Sequence, residues 1–173
     1  PNYNPNEYWE FESQADFYNH AISSTYEPGS TFKIVTLAAT VEEGLFNPLE
    51  TFLSGSISLP GGVLSDHQSQ GWGLISYLEG LKRSSNVAFV KLGYEKLGAE
   101  KLKAYIDAFG FGEKTGINLP GEARGAINFR ENIPTEVATA TYGQGRVTVT
   151  SLQQVAAISA IANGGKLMQP YIV

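Results

Sequence analysis

Cysteine is absent from this chain of 173 residues, and histidine occurs only at His20 and His67. Without cysteine, neither a disulfide framework nor a thiolate metal site can form, and two histidines suggest no metal cluster. No run of about 18 apolar residues and no signal-peptide pattern is present, so the chain as given is expected to be soluble. The formal net charge of -5 argues against a nucleic-acid partner. An initiating methionine is also missing, since the chain begins at Pro1, and we expect an excised piece of a longer protein.

A chain of 173 residues has the length of one domain or of part of a larger one. Because 42% of its residues are apolar, it can form a hydrophobic core. Apolar periodicity and Gly/Pro punctuation predict mainly helical structure with one small β-hairpin. In the first segment, Trp9, Phe11, Phe17, Tyr18 and Ile22 are expected to share one face of short helical turns. The predicted segments are a polar loop with short helices at 1–27, a central helix at 28–44, a hairpin at 51–65, helices at 74–110, a loop at 111–133, and C-terminal helices with an extended end at 134–173.

The central helix carries the first chemical pattern. Pro28 and Gly29 mark a turn, and Ser30 is placed to cap a helix that runs to about Glu43 and is apolar on nearly all sides. Ser30 and Lys33 then share one face of the first turn. A buried lysine has a lowered pKa, and an amine beside a hydroxyl activates a nucleophile. On the S-x-x-K spacing alone, a capping serine followed by a lysine that extends to solvent is the favoured interpretation.

A second pattern, Arg83-Ser84-Ser85-Asn86, lies between two predicted helices at 74–82 and 86–97. Ser84 and Asn86 could face one cavity at this junction. Taken alone, ordinary helix capping is the favoured interpretation, since serine and asparagine are common before a helix.

Longer strings around both patterns resemble class B penicillin-binding proteins, the D,D-transpeptidases that cross-link peptidoglycan. Tyr26-Glu27-Pro28-Gly29-Ser30-Thr31-Phe32-Lys33 resembles their active-site segment, and Leu78 to Phe89 resembles their S-x-N segment. The resemblance covers almost the whole chain. The stretch from Asp66-His67 to Gly71-Trp72-Gly73, followed by Arg83-Ser84-Ser85-Asn86, is most similar to division-associated enzymes of Gram-positive bacteria. The further matching strings are 108–112, 115–122, Tyr142-Gly143-Gln144-Gly145 and 162–166.

Lys114-Thr115-Gly116 spells the family's third motif, K-T-G, but precedes the G-Q-G segment that the third motif follows in the family. We therefore expect the true third motif beyond Val173 and the first sheet strands before Pro1. The resemblance then implies the helical subdomain of the penicillin-binding-protein and serine β-lactamase-like α/β fold, with most of the central antiparallel sheet outside this chain.

By resemblance, Ser30 is the nucleophile, Lys33 the base and Ser84 a proton relay. Asn86, Trp72 and Gln144 are implied to bind substrate, although ordinary packing is an equal alternative for Trp72. The implied substrates are stem peptides ending in D-Ala-D-Ala, and β-lactams would acylate Ser30. No cofactor is implied. Divisome membrane proteins are implied partners, at the outer face of the cell membrane, through an anchor outside this chain.

Two alternatives stay open at this stage. One is a hydrolase, either a D,D-carboxypeptidase or a serine β-lactamase, although no carboxylate can be assigned as a deacylating base. The other is a non-catalytic helical module that binds cell-wall peptide or divisome partners. Without the third motif, this chain alone is expected to be inactive or very slow.

Overall fold

Helices dominate the chain in a computed structural model that describes residues 4–10, 13 and 17–172. Within those residues three small antiparallel sheets accompany the helices, which confirms the expected mainly α architecture. The helices are α1 (His20–Ser23), α2 (Lys33–Glu42), α3 (Tyr77–Lys82), α4 (Asn86–Val90), continued by a π-helix (Lys91–Leu97), α5 (Ala99–Ala108), α6 (Pro134–Ala140) and α7 (Ser151–Ala162), with 3-10 turns at Pro5–Glu10 and Gly29–Phe32.

The strands are short, and none in the described part of the chain exceeds four residues. β1 (Thr25–Tyr26), β7 (Val147–Thr150) and β6 (Ala126–Ile127) form one sheet in that spatial order. β2 (Thr51–Leu53) pairs with β5 (Leu74–Ser76), and β3 (Ser56–Leu59) pairs with β4 (Gly62–Ser65). In the first sheet Tyr26 faces Val149, which brings the residues before the Ser30 turn against the strand that precedes α7.

Side-chain caps fix where three of the helices begin. The hydroxyl of Ser76 accepts from the Glu79 backbone N–H at the start of α3, and that of Ser85 accepts from Ala88 at the start of α4. Thr150 and Gln153 form a reciprocal capping box at the start of α7. These caps satisfy N–H groups that would otherwise lack a partner.

Helix α2 lies at the centre of the fold, against the π-helix, α5 and α7. Phe32 precedes it and is fully buried, with its ring 5.0 Å from that of Phe111. Full burial of each large apolar side chain contributes about 1.5–3 kcal/mol, so this cluster anchors the turn that carries Ser30. The other buried members include Val35, Ala39, Leu102, Ile106, Val137, Val147 and Val149.

A second core forms around α4. Phe89 and Val87 are buried here, and the rings of Phe52 and Tyr77 stack 5.0 Å apart. Because α3 and α4 both pack into this cluster, the turn between them is held in place beside α2.

The start of α2 differs from the prediction. Ser30 was expected to cap the helix, but it lies inside a 3-10 turn, Gly29–Phe32, and makes no capping hydrogen bond. Gly29 opens this turn with a φ of 56°, and its N–H donates to Gly143 O at 2.8 Å. That long-range bond tightens the chain before the helix, so the regular α geometry begins only at Lys33.

The expectation that α2 is buried on nearly all sides is also wrong. Val41 is 55% exposed, and an open groove of about 780 Å³ runs along α2 between α5 and α7. An all-apolar sequence indicates burial only when neighbouring elements cover every side, and here one side stays open.

The predicted hairpin is narrower than 51–65. It comprises β3 and β4 only, while Leu53 belongs to β2 and pairs with Leu74. Gly55, with a φ of 108°, separates β2 from β3. The prediction placed Leu74–Ser76 in the first turn of a helix, but the segment is a strand. The alternating pattern from 53 to 59 could not show this break, because it continues across Gly55.

At the ends of the chain, Trp9, Phe17 and Tyr18 are exposed and Ile22 is buried, so they do not form one packed face. Phe11 lies outside the described residues. The predicted extended end, as far as residue 172, forms no regular element, and Val173 lies outside the description. Among the described residues no helix has the length and apolar character needed to traverse a bilayer.

Candidate active site

The Ser30 turn is fixed by contacts with distant parts of the chain. The carbonyl of Thr31 accepts from Gln154 Nε2 at 3.1 Å, and the carboxylate of Glu27 accepts from the Gly145 N–H at 3.1 Å. Ser30 itself is exposed. Its hydroxyl forms no hydrogen bond with any residue that the structure describes, so it is available to a ligand from solvent.

Lys33, one turn after Ser30, is only 3% exposed. Its amine donates to Ser84 O at 2.6 Å, to Ser84 Oγ at 3.0 Å and to Asn86 Oδ1 at 2.8 Å. The S-x-x-K and S-x-N patterns, separate in sequence, therefore meet at this amine. Three N–H bonds use every donor of an ammonium group, so this geometry is that of the charged lysine.

Ser84 carries the backbone that makes this contact possible. Its φ of 54° is positive, which is found at no other non-glycine residue of the described part of the chain. This conformation typically costs about 1–3 kcal/mol and persists only where surrounding contacts impose it. It directs both the carbonyl and the hydroxyl of Ser84 toward Lys33.

Asn86 is held from its other end. Its Nδ2 donates to Ser65 O at 3.0 Å while its Oδ1 accepts from Lys33. The amide is thus oriented by β4 on one side and by the lysine on the other.

Burial makes the neutral form of Lys33 more accessible than that of an exposed lysine. Burial lowers the pKa of Lys33 from 10.5 to about 8, and the negative charge of Asp66 opposes part of this effect. The rings of Phe89 and Tyr142 lie 5.4 and 5.9 Å from Nζ. Burial also raises the pKa of the Tyr142 hydroxyl, so it stays neutral. A lysine in this environment can lose its proton near neutral pH.

The structure does not bring Trp72 or Gln144 into contact with Lys33. Trp72 is half-buried, with Arg83 above its ring at 5.3 Å and the His67 ring 5.2 Å away. Trp72 thereby reaches the residue that precedes Ser84. Gln144 is exposed and follows Gly143, whose carbonyl binds the Ser30 turn. Trp72 therefore lies beside the Ser84 turn, and Gln144 lies beside the Ser30 turn.

The K-T-G string at 114–116 lies in a loop and forms no strand. The N–H and the hydroxyl of Thr115 both donate to Glu122, and Gln169 Nε2 donates to Gly116 O at 2.6 Å. These polar groups close the loop on itself, which argues for a structural role of this string.

Two residues to which the sequence analysis assigned no role, Asp66 and Gly143, lie close to the site. Asp66 is 4% exposed and bonds to the residues around Ser84. Gly143 packs directly beneath the Ser30 turn. A turn glycine could have been noted from its neighbours, but no local signal marks Asp66, because its burial depends on distant segments. No group of side chains suited to a metal ion occurs within the described residues.

Comparison with known proteins gives consistent results. All residues from 1 to 173 match the family described as the penicillin binding protein transpeptidase domain. The chain is 47% identical over 175 residues to stage V sporulation protein D of Bacillus subtilis, an alignment that covers 99% of the chain and 27% of that protein. It is 34% identical over 157 residues to penicillin-binding protein PbpB of Mycobacterium tuberculosis, covering 90% of the chain and 23% of that protein. The chain spans about a quarter of the length of these curated relatives.

Solved structures give the same picture. Penicillin-binding protein 3 from Mycobacterium tuberculosis, in complex with ampicillin, superposes with a TM-score of 0.82 at 34% identity, covering 90% of the chain and 34% of that structure. The transpeptidase domain of penicillin-binding protein 3 from Burkholderia pseudomallei gives a TM-score of 0.81 at 27% identity, with 89% and 46% covered.

Proposed function

The chain belongs to the penicillin-binding protein transpeptidase domain family, and from that premise we propose that it is part of a serine-type peptidoglycan D,D-transpeptidase. The observation that carries the proposal is the buried amine of Lys33, which bonds Ser84 and Asn86 one turn from the exposed Ser30. A solvent-extended lysine would not need this arrangement. The proposed substrates are stem peptides that end in D-Ala-D-Ala.

Acylation begins with a neutral Lys33. The amine accepts the Ser30 hydroxyl proton while Ser30 Oγ attacks the carbonyl of the penultimate D-Ala. The bond between that carbonyl and the terminal D-Ala nitrogen then breaks, and the departing amine takes up a proton through Ser84. Ser84 suits this relay because its hydroxyl lies 3.0 Å from Lys33 Nζ and can donate or accept.

Transfer completes the reaction. The amine of a second stem peptide attacks the Ser30 ester, forms the new peptide bond and releases the serine. Asn86 is proposed to hydrogen-bond a backbone amide of the substrate, and Trp72 and Gln144 are proposed to border the groove. A β-lactam replaces the first substrate, and its opened ring stays attached to Ser30 as an ester.

The rate of this chain on its own is proposed to be low. The backbone N–H of Ser30 is one candidate oxyanion donor, and the family's second donor comes from the third-motif strand. Within the described residues the K-T-G string at 114–116 is closed on Glu122 and unable to fill that role. Loss of one oxyanion donor typically costs about 10²–10³ in rate.

The cellular setting is proposed from the relatives. A penicillin-binding protein related to stage V sporulation protein D would act on peptidoglycan at the outer face of the cell membrane. Membrane anchoring and divisome partners belong to the proposal for the whole protein.

The test is intact-mass analysis after incubation with benzylpenicillin, followed by peptide mapping. A slowly forming adduct of one penicillin per chain, mapped to Ser30, is the expected result. The Ser30→Ala variant should remain unmodified and folded by circular dichroism. No adduct on a folded wild-type chain after prolonged incubation would contradict the proposal.

The acylation rate should also depend on pH. Because burial lowers the pKa of Lys33 to about 8, the neutral amine is half-populated near that pH. The rate constant for adduct formation should therefore rise between pH 6 and pH 9 with a midpoint near 8, and level off above it. Rates corrected for spontaneous penicillin hydrolysis would check this, and a rate that falls as pH rises would exclude Lys33 as the base.

A further inference from the structure

Asp66, directly after β4, is a buried carboxylate whose acceptor sites face backbone and hydroxyl donors. Its Oδ1 accepts from Ser85 Oγ at 2.9 Å and from the Val87 N–H at 3.0 Å. Its Oδ2 accepts from the Gly55 N–H at 2.9 Å. No salt bridge involves it among the described residues. With both oxygens engaged, Asp66 is unsuited to attack or to take a proton from substrate.

These bonds hold the backbone that presents Ser84 and Asn86. Ser85 stands between the two residues, and its hydroxyl also caps α4 by accepting from Ala88. The neighbouring Ser65 carbonyl binds Asn86 Nδ2. The segment 65–66 thus supports the strained Ser84 turn from the side opposite Lys33, as a positive φ at a serine requires.

The charge of Asp66 also acts on Lys33. Among the described residues, two titratable side chains packed around this amine bear on it: Asp66, and Tyr142, whose raised pKa keeps it neutral. Ser84, Asn86 and Phe89 complete its contacts and carry no charge. Arg83 turns away, with its Nε bonded to Glu79 at 2.7 Å.

We propose that Asp66 is a positioning residue, which holds the Ser84–Asn86 turn against Lys33 and whose charge stabilises the Lys33 ammonium. This proposal rests on the proposed function in one respect, because it takes the Lys33 site to be the acylation site. Asp66 thus has two separable roles. Its hydrogen bonds hold the turn, and its charge raises the pH at which Lys33 becomes a base.

Two variants separate the hydrogen-bonding role of Asp66 from the role of its charge. Asp66→Asn keeps an acceptor for Ser85 and Val87 but removes the charge. Its Nδ2 is a donor, so the hydrogen bond from the Gly55 N–H is lost. Ser85→Ala removes one bond to the turn and leaves the charge in place. The primary readout is an NMR titration of ¹³Cε-labelled lysine in the whole chain, with the Lys33 signal identified by its loss in Lys33→Met.

In Asp66→Asn the Lys33 midpoint should fall by about one pH unit, because an opposite charge no longer favours the ammonium. In Ser85→Ala the midpoint should match that of the wild type, while amide exchange at Val87 quickens. An Asp66→Asn midpoint equal to the wild-type value would overturn the proposal, as would a midpoint that rises.

A measurement on the wild type covers the case in which Asp66→Asn does not fold. The ¹³Cγ signal of Asp66 should show a step between pH 7 and pH 9 with the same midpoint as Lys33, and a flat signal would overturn the proposal. Penicillin acylation is measured separately. A shifted midpoint without any adduct rejects the proposed function alone, and an adduct with an unshifted midpoint rejects the role of Asp66 alone.

Discussion

Replacing Lys33 with methionine is expected to slow penicillin acylation of Ser30 about a thousandfold, within the range of general-base contributions. Methionine matches the length of the lysine stem and keeps the burial beside Phe89. It removes the proposed base, and it also leaves the Ser84 carbonyl and Asn86 Oδ1 without the donor that orients them. Time courses of adduct formation by intact mass, at pH 8 and a fixed benzylpenicillin concentration, would measure the ratio of rates.

The matched control is Lys91→Met on the π-helix. Lys91 pairs with Glu95 at 3.2 Å and is more exposed than Lys33, and an exposed ion pair of this kind contributes about 1 kcal/mol or less. The acylation rate of the Lys91→Met variant should remain that of the wild type. If Lys33→Met, folded by circular dichroism, stays within about tenfold of wild type, well below the general-base contribution of about 10²–10⁴, another group must serve as base.

A large loss of stability is expected for Gly143→Ala. A Cβ atom at Gly143 would lie 2.5 Å from Gly29 O and 2.6 Å from Phe32 Cβ, and the φ of 74° is itself unfavourable for alanine. Backbone atoms cannot move aside as a flexible side chain can, so the turn under Ser30 must shift. Overpacking together with left-handed strain should lower the free energy of unfolding by about 3 kcal/mol, measured by urea denaturation.

Gly164→Ala provides the comparison. Gly164 has a similar φ of 82°, and no atom lies within 4 Å of the added Cβ. Its cost should therefore be the conformational strain alone, about 1 kcal/mol. Equal losses for the two variants would show that the packing beneath the Ser30 turn relaxes without cost.

Much of the candidate site could be predicted because its residues stand in short strings with fixed spacing. Ser30 and Lys33 lie one turn apart, and Ser84 and Asn86 flank one residue, so local geometry alone keeps each pair together. The helices over 99–108 and 151–162 were likewise indicated by their apolar residues and by the glycines that follow them, Gly110 and Gly164-Gly165.

The remainder depends on contacts that no local pattern encodes. The 3-10 turn at Ser30 exists because Gly29 bonds to Gly143, and β5 exists because Leu74 finds Leu53 as a partner. The importance of Asp66 follows from donors at Gly55, Ser85 and Val87, which reach it from two other segments. Tertiary partners of this kind override local propensity in both helices and strands.

Contacts at the candidate site join residues that lie far apart in sequence, which affects the order of folding. Thr31 and Gln154, whose bond supports the Ser30 turn, are 123 positions apart, and Lys33 and Ser84 are 51 positions apart. Closing such long loops is entropically costly, and contacts of high sequence separation form slowly. During synthesis α7 must emerge before this bond can fix the Ser30 turn. On the proposed function, acylation of a nascent chain before α7 has emerged is therefore expected to be slow.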